Sequence, residues 1–369
     1  MRELDDIEKI REIDRHNMLE KIDRMPEYLV EAITGFRESM PPEDPANIDN
    51  AILVGMGTSA TSGEVVLNWL ADRMKVPTSL IRDSRLPSFA NERTMVLAIS
   101  YSGETQETLE ALVNALRRGC KITTISSGGK MKQISEKLRI RHIELEKGHE
   151  PRTSFPSMFV ASSFALSYLA DQEDLRKEIE GASSSLRSLK NRIGWKAASE
   201  ANPAKQLALD LGGTVPAAYA FHRNSGLARR MKNQLNENSK MPAMFNLLPE
   251  ACHNEFEAWR RIEPRTLEFS CVFLRPDETE DETIIVEEAK KILTEMDSTS
   301  IHEVRGVGST RVSQLLSIVY FTDYISYYLS ILRKIDPTPW GRVQQLKKRI
   351  LSRTRFEERL NRNLLAGRA

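Results

Sequence analysis

The stretch from Arg229 to Trp259, RRMKNQLNENSKMPAMFNLLPEACHNEFEAW, gathers a carboxylate (Glu237), an ammonium (Lys240) and an imidazole (His253) in one short window. Asn233, Asn236, Asn238, Asn246 and Asn254 crowd the same window. Asparagine weakens a helix by hydrogen-bonding locally, so asparagines along a predicted helix point to a site more readily than to stability. A Glu and a His together are the equipment of general acid–base catalysis. Upstream, SYSGET (Ser100 to Thr105) is built to hold a phosphate. A phosphate cradle with a Glu and a His implies proton transfer on a phosphorylated small molecule.

Ser100, Ser102, Gly103, Glu104 and Thr105 stand where a predicted strand ends and a helix begins. In a parallel sheet, ligands bind beyond the carboxyl ends of strands. A helix N-terminus there offers unpaired N–H groups and a partial positive charge, and hydroxyls add neutral donors. GMGTSATSG, from Gly55, is a second Gly/Ser/Thr turn of the same kind. Each loop alone could be a helix cap; two in one sheet favour phosphate binding. Gly55, Gly57 and Ala60 also fit a G-x-G-x-x-A dinucleotide spacing, with Asp83 ending the next strand. That reading leaves the second hydroxyl loop and the Asn-rich block without a role, and there is no Walker lysine. A simple sugar phosphate therefore ranks above a nucleotide.

Other candidates are ambiguous by type alone. Glu237 is either a solvated carboxylate or a partly buried base. His253, after Cys252 in a polar turn, is either a surface residue or a proton carrier. Arg152, in EPRTSFPS, could cap a helix or neutralise charge in a transition state. Lys347 and Lys348 read most simply as solvated side chains of the last helix. Chemistry by residue type leaves these alternatives open.

The elements that must position these groups alternate. Residues 1 to about 40 carry helical periodicity. PPEDPANID leads into a strand, AILVG, followed by a helix after Ser59; TSLIRD and TMVLAIS are further strands. Glu104 to Arg118 predicts an amphipathic helix stopped by Gly119, and KITTIS and RHIEL are strands around a short helix. Gln172 to Lys190, with its Gly-Ala-Ser-Ser-Ser break, reads as a connector. A second alternation follows: TVPAAYAF, a helix through Asn236, LEFSCVFLR, a helix over Glu282 to Met296, and SIHEVRG. A long helix from Ser309 to Lys334 ends at DPTPW, and a basic helix runs from Arg342 to about Asn363. The expected class is α/β, with two domains of doubly wound parallel sheet in tandem and helical extensions at both ends. The expected segments are 1–45 (helical), 46–175 (phosphate-binding loops), 176–200 (connector), 201–335 (the Glu/His block) and 336–369 (a helical segment packing on the active site).

With 369 residues, the chain can bury two substantial cores. Lys+Arg 53 against Asp+Glu 52 gives +1, so no global field draws in nucleic acid or membrane. Cys120, Cys252 and Cys271 form neither a disulfide framework nor a metal pair, which suits a reducing cytoplasm. The charged N-terminus is not read as a signal peptide. Leu315 to Leu332, containing Asp323 and several tyrosines, reads as a buried core helix, not a membrane span. His and Cys do not cluster at ligand spacing, so neither a metal nor a cofactor is expected.

Taken together, these residues resemble the archaeal-type bifunctional phosphoglucose/phosphomannose isomerases, which are two sugar-isomerase (SIS, flavodoxin-like) domains in tandem. The resemblance runs from about residue 50 to 350 through GMGTSATSG, SYSGET, PRTSFPSMF, the Arg229–Trp259 block and DYISYYLSILRKIDPTPWGRVQQLKKRI. It implies that Gly57, Thr58, Ser59, Ser100, Ser102 and Thr105 hold a sugar phosphate. It implies Glu237 as the base moving a proton between C1 and C2, and Arg152 as the stabiliser of the enediolate. His253 and Lys347 would help open the sugar ring, with Lys348 as the alternative lysine. It also implies a homodimer in which His253 reaches into the partner's site. Departures from the family pattern are Thr58 and Ala60 for glycines, Glu104 for Asn, Thr153 and Ser154 for a small pair, Cys252 for Asn and Ala258 for Gly. A carboxylate at 104, beside a phosphate, must point away or cap the helix.

The expected activity is aldose–ketose isomerisation: glucose 6-phosphate, and mannose 6-phosphate as well, to fructose 6-phosphate. The competing class is an SIS-type sugar-phosphate sensor, which needs the cradle but not Glu237, His253 and Lys347 together. The mixed charge of the first forty residues and the acid-interrupted C-terminal helix argue against a nucleic-acid reader. Another SIS enzyme, an amido-sugar isomerase, would need glutamine chemistry for which no N-terminal Cys nucleophile domain is present.

Overall fold

The computed structural model describes residues 2–36, 44–171, 174–259, 268–296 and 300–366. The first residues of PPEDPANID (41–43), Gln172 at the start of the expected connector and Leu267 at the start of LEFSCVFLR lie outside the described residues.

Three helices come first: α1 (Ile7–Ile13), α2 (Met18–Asp23) and α3 (Met25–Gly35). Then follow β1 (Asn50–Gly55), α4 (Gly57–Leu70), β2 (Thr78–Ile81), β3 (Thr94–Ile99), α5 (Gln106–Arg117), β4 (Lys121–Ser126), α6 (Gly129–Leu138), β5 (Arg141–Glu144) and α7 (Phe155–Leu166). The second half contains α8 (Leu175–Ile193), α9 (Pro203–Leu211), β6 (Val215–Phe221), α10 (Ser225–Glu237), β7 (Met244–Leu248), β8 (Phe269–Arg275), α11 (Glu280–Glu295), β9 (Ser300–Arg305) and α12 (Arg311–Leu332). Helices α13 (Gly341–Thr354) and α14 (Phe356–Ala366) end it.

The chain divides into two compact units, and each is discontinuous. One comprises Glu31–Leu175 with Trp340–Ala369; the other comprises Met1–Val30 with Arg176–Pro339. The first holds a five-stranded sheet ordered β2-β1-β3-β4-β5, and the second a four-stranded sheet ordered β7-β6-β8-β9. Among the described residues, every strand pairing within the two sheets is parallel; Leu53 pairs with Leu80 and Leu97, and Ala218 with Phe245 and Val272. These are two doubly wound α/β domains of one design.

Strands buried on both faces must be apolar runs, and β1 and β3 are buried almost end to end. In the second unit, Tyr219, Phe221, Phe273 and Trp259 lead the core, joined by Val286 and Leu293 of α11. In the first unit, Phe356 and Leu360 of α14 pack with Leu109, Leu112 and Val113 of α5. Lys130 adds an ion pair to Glu357 at 2.9 Å, and Arg359 pairs with Glu110. Helix α12 is long and apolar enough to cross a membrane, but is buried within its unit. Its tyrosines hydrogen-bond that unit: Tyr324 donates to Asp23 at 2.5 Å, Tyr327 to Asp14 at 3.1 Å and Tyr328 to the Ile193 carbonyl at 2.7 Å.

Several expectations need correction. The Gly-Ala-Ser-Ser-Ser stretch does not break α8. Its hydroxyls return to carbonyls one turn back, Ser184 to Glu180 at 3.1 Å and Ser185 to Gly181 at 3.2 Å, while Ser183 donates to Pro26 at 2.8 Å. The basic C-terminal helix is two helices, divided at Arg355, whose φ is +44°. The Arg229–Trp259 block contains an edge strand, β7, that its Asn246 and preceding Pro242 concealed.

Candidate active site

Strand order in the first sheet reverses between β1 and β3, and the two hydroxyl loops follow those two strands. This is the crevice where doubly wound sheets bind ligands. Helix α4 begins at Gly57, which is exposed with φ +53°, and Thr58 and Ser59 stand in its first turn, 6% and 7% exposed. The Tyr101 amide donates to Ser59 Oγ at 3.2 Å, so one loop ties to the other. Ser100 Oγ donates to Thr105 Oγ1 at 2.9 Å, and Ser102 Oγ accepts the Glu104 amide at 3.2 Å. The structure thus brings Ser59, Ser100 and Thr105 into one hydroxyl-lined corner over the start of α4. No acidic residue occupies that helix's first turn.

Gly103 was expected to let a ligand approach. Its φ of +69° and its neighbour give a stronger reason: a Cβ there would lie 1.9 Å from the Gly128 carbonyl oxygen. The loop is therefore buttressed from behind by the Gly128-Gly129 turn. Glu104 points that way too, accepting the Lys130 amide at 2.9 Å and Lys130 Nζ at 2.8 Å. Its carboxylate caps α6 and is engaged there, which answers the charge problem posed by the sequence. Asp83 accepts the Ser84 amide within its own turn.

Arg152 lies in the turn before α7 and is 1% exposed. The hydroxyls of Thr153 and Ser154 donate to the Glu150 carbonyl at 3.1 and 3.0 Å, which fastens this turn. Lys347 is exposed on α13 with Nζ 5.0 Å from the centre of the Trp340 ring, a cation–π contact. Lys348 is also exposed.

In the second unit, Glu237 is the last residue of α10 and is half-buried. Two of the surrounding asparagines, Asn236 and Asn238, hold this helix end in place. Arg230 makes a two-toothed pair with Asp323 of α12, at 3.0 and 2.6 Å, fully out of water. Burial pushes the Asp323 carboxyl up, against the pull of Arg230. Asn238 and Ser239 hydrogen-bond Ser326 at 2.9 and 2.7 Å, and Asn236 donates to the Met241 carbonyl at 2.8 Å. Lys240, at φ +53°, donates to the carbonyls of Glu237 and, at 2.9 Å, Pro337. It terminates the helix, a structural role that the sequence had grouped with the site.

His253 is exposed on a 3-10 turn, Glu250–His253, that follows β7. Glu237 precedes β7 and His253 follows it. The strand has 5 residues, and such a strand spans about 17 Å. Glu237 and His253 of one chain thus flank β7 from opposite sides along the sequence.

The sequence reading missed two groups. Glu255 accepts from Tyr219 and Asn246 beneath the His253 turn; its only sequence signal was an acid two residues after the His. Arg223 and Arg311 meet Asp277 and Glu282 at the carboxyl ends of β6 and β8; nothing local in the sequence indicated that they would pair.

Residues 46–168 match the family described as SIS domain, and residues 200–350 match Bacterial phospho-glucose isomerase C-terminal SIS domain. A curated relative, the bifunctional phosphoglucose/phosphomannose isomerase of Caldicellulosiruptor bescii, is 30% identical over 334 residues, 90% of this chain and 98% of its own. The protein of the same name from Aquifex aeolicus is 30% identical, covering 88% of this chain and 98% of its own. Among solved structures, a glucose-6-phosphate isomerase like protein from Thermus thermophilus superposes with a TM-score of 0.63 at 17% identity, over 94% of this chain and 99% of that one.

Proposed function

We infer that this chain, which belongs to the bifunctional phosphoglucose/phosphomannose isomerase family, interconverts glucose 6-phosphate and fructose 6-phosphate, and accepts mannose 6-phosphate as well. The observation that carries this is the 30% identity to a named bifunctional isomerase across 98% of that protein's length. The hydroxyl-lined corner between the loops after β1 and β3 supports a phosphate as the substrate's handle. A sugar-phosphate sensor is not favoured, since the full-length relatives are named as isomerases.

Gly57, Thr58, Ser59, Ser100, Ser102 and Thr105 bind the phosphate through N–H and O–H donors. Binding there orients the distant C1–C2 segment, so phosphate affinity is converted into rate. His253 and Lys347 assist ring opening by taking and giving protons at the ring and anomeric oxygens. Glu237 then removes the C2 proton of the aldose; the C–H electrons form the C1–C2 double bond and the carbonyl π electrons move to O1. Arg152 stabilises the resulting enediolate. The O2 hydroxyl proton is passed to O1, the C2–O2 carbonyl forms, and the C1–C2 double-bond electrons take the proton back from Glu237 at C1, giving the ketose. Rotation about C2–C3 of the enediolate lets one base serve both C2 epimers. Each proton carrier is a side chain, so no step calls for a cofactor.

The reading includes a cytoplasmic homodimer in which His253 serves the partner subunit's site. Its support is that Glu237 and His253 flank β7 from opposite sides along the sequence.

A coupled assay decides the matter. Fructose 6-phosphate is given to purified protein with chelator present, and glucose 6-phosphate and mannose 6-phosphate are followed separately. Both products are expected. Glucose 6-phosphate alone would mean a site narrowed by the changes at Thr58 and Ala60. Neither product, with fructose 6-phosphate still bound, would restore the sensor reading.

A further inference from the structure

Beneath the turn that carries His253, one carboxylate ties that turn to two strands of its sheet. Glu255, half-buried, stands two residues after His253 at the start of a second 3-10 turn, Glu255–Trp259. Its Oε1 accepts the Tyr219 hydroxyl at 2.5 Å, and its Oε2 accepts the Asn246 side-chain amide. Tyr219 lies on β6 and Asn246 on β7, and these two residues are direct register partners. Glu255 therefore bridges neighbouring strands at one level. Trp259 Nε1 donates to the same Tyr219 oxygen at 2.9 Å and closes the far end of the turn.

Packing alone already holds this segment down, because Ala251, Phe256 and Trp259 are buried in one apolar cluster with Tyr219, Phe221 and Phe273. A partly desolvated carboxylate costs more than an amide in that place, and both of its partners are neutral donors. Among the described residues, no cation pairs with it. What a carboxylate adds is directional hold: its hydrogen bonds are shorter and roughly twice as strong as neutral ones. Burial pushes the Tyr219 hydroxyl up, which keeps it a donor to Glu255.

We propose that Glu255 is the positioning residue for His253: by gripping β6 and β7 together it fixes the two linked turns, and so the direction in which the imidazole points. This rests on His253 acting in ring opening.

The test compares Glu255→Gln, His253→Ala and the double variant in the full chain. Glu255→Gln keeps the volume and one acceptor, so thermal unfolding should stay close to that of the parent. Its kcat should fall about ten- to a hundredfold with KM nearly constant, the size expected when a supporting contact lets a catalytic group drift. The losses should not multiply, the double variant matching His253→Ala alone. Tyr219→Phe should fall in the same direction by less. Independently of turnover, the His253 imidazole resonances should move in Glu255→Gln. Multiplying losses, a kcat equal to the parent's or unmoved resonances would overturn the proposal. If His253→Ala retained full activity, the role of His253 in ring opening would fail, while the imidazole resonances would still decide whether Glu255 positions it.

Discussion

The two sheets order their strands alike, and each reverses order between its first and third strands, yet the crevices at those points are furnished differently. In the first, the loops after β1 and β3 present hydroxyls and open backbone over a helix start free of acid. In the second, Asp277, after β8, meets Arg223 and Arg311, and Glu282, in the first turn of α11, also pairs with Arg223. The first turn of α11 carries Glu280, Asp281 and Glu282 and is closed by a Thr279–Glu282 capping box. Arg223 is held further up its range by Glu282, and Glu282 further down by Arg223. A doubly wound sheet offers an anion site wherever its order reverses. In this chain the first such crevice stays lined with hydroxyls, and the second is filled by the chain's own carboxylates. On the function proposed above, binding falls to the first unit and the proton carriers come from elsewhere on the second.

That division can be broken from either side. Glu237→Gln should remove chemistry without binding: kcat should fall about a thousandfold, the middle of the range for an acid–base group. Calorimetry should still show a phosphorylated sugar-acid analogue binding to it; retention of near-normal kcat would show that the base lies elsewhere. Gly103→Ala should do the reverse. Its Cβ would run into the Gly128 carbonyl at 1.9 Å, so KM for fructose 6-phosphate should rise at least about tenfold, with about 1–3 kcal/mol lost in urea unfolding. Asp277→Asn with Glu282→Gln should open the second crevice. Inorganic phosphate should then raise the unfolding temperature of this variant more than that of the parent, and an equal response would mean that those carboxylates do not act as built-in anions.

The smallest expected effect concerns acid. Arg275, then Lys290, hydrogen-bond Glu287 and hold its carboxyl down from 4.5 to about 2. A depressed folded-state value means that this contribution to stability is complete above about pH 4.5 and fades as the pH falls toward 2. Glu287→Gln should flatten the stability profile over that window and leave it unchanged at pH 7 apart from a constant offset. An unchanged slope would show that the contacts of this partly exposed carboxylate with Arg275 and Lys290 add nothing.

All five strands of the first sheet were legible: β1 and β3 as apolar runs buried on both faces, and the edge strands β2 and β5 from their place in the strand–helix alternation. The two hydroxyl loops were legible because Gly and Ser cluster where the apolar runs end. The edge strand β7 was not, since MFNLL is short and its middle residue, Asn246, faces a carboxylate found only by folding. The asparagines of the Glu237 block looked like a site, and two of them, Asn236 and Asn238, proved to be anchors. Asn238 and Ser239 reach Ser326 of α12, and Arg230 reaches Asp323, 87 to 93 residues away in sequence. No local pattern reports a hydrogen bond made over that distance. Family motifs singled out Glu237, His253 and Lys347 where residue type alone had left them ambiguous. They gave no reason for Glu104, whose partner Lys130 only the fold supplies.

The interleaving of the two units sets a condition on their birth. The first sheet is covered in part by α14, whose Phe356 and Leu360 seal Leu109, Leu112 and Val113. During synthesis, every strand of both sheets leaves the ribosome before that seal does. The early half must therefore wait, with an oily flank uncovered, while the later half is made. A chain cut after α12 would keep every strand and still lack this cover, so the simple way of dividing such a protein, at the midpoint of its sequence, would leave its first sheet unfinished.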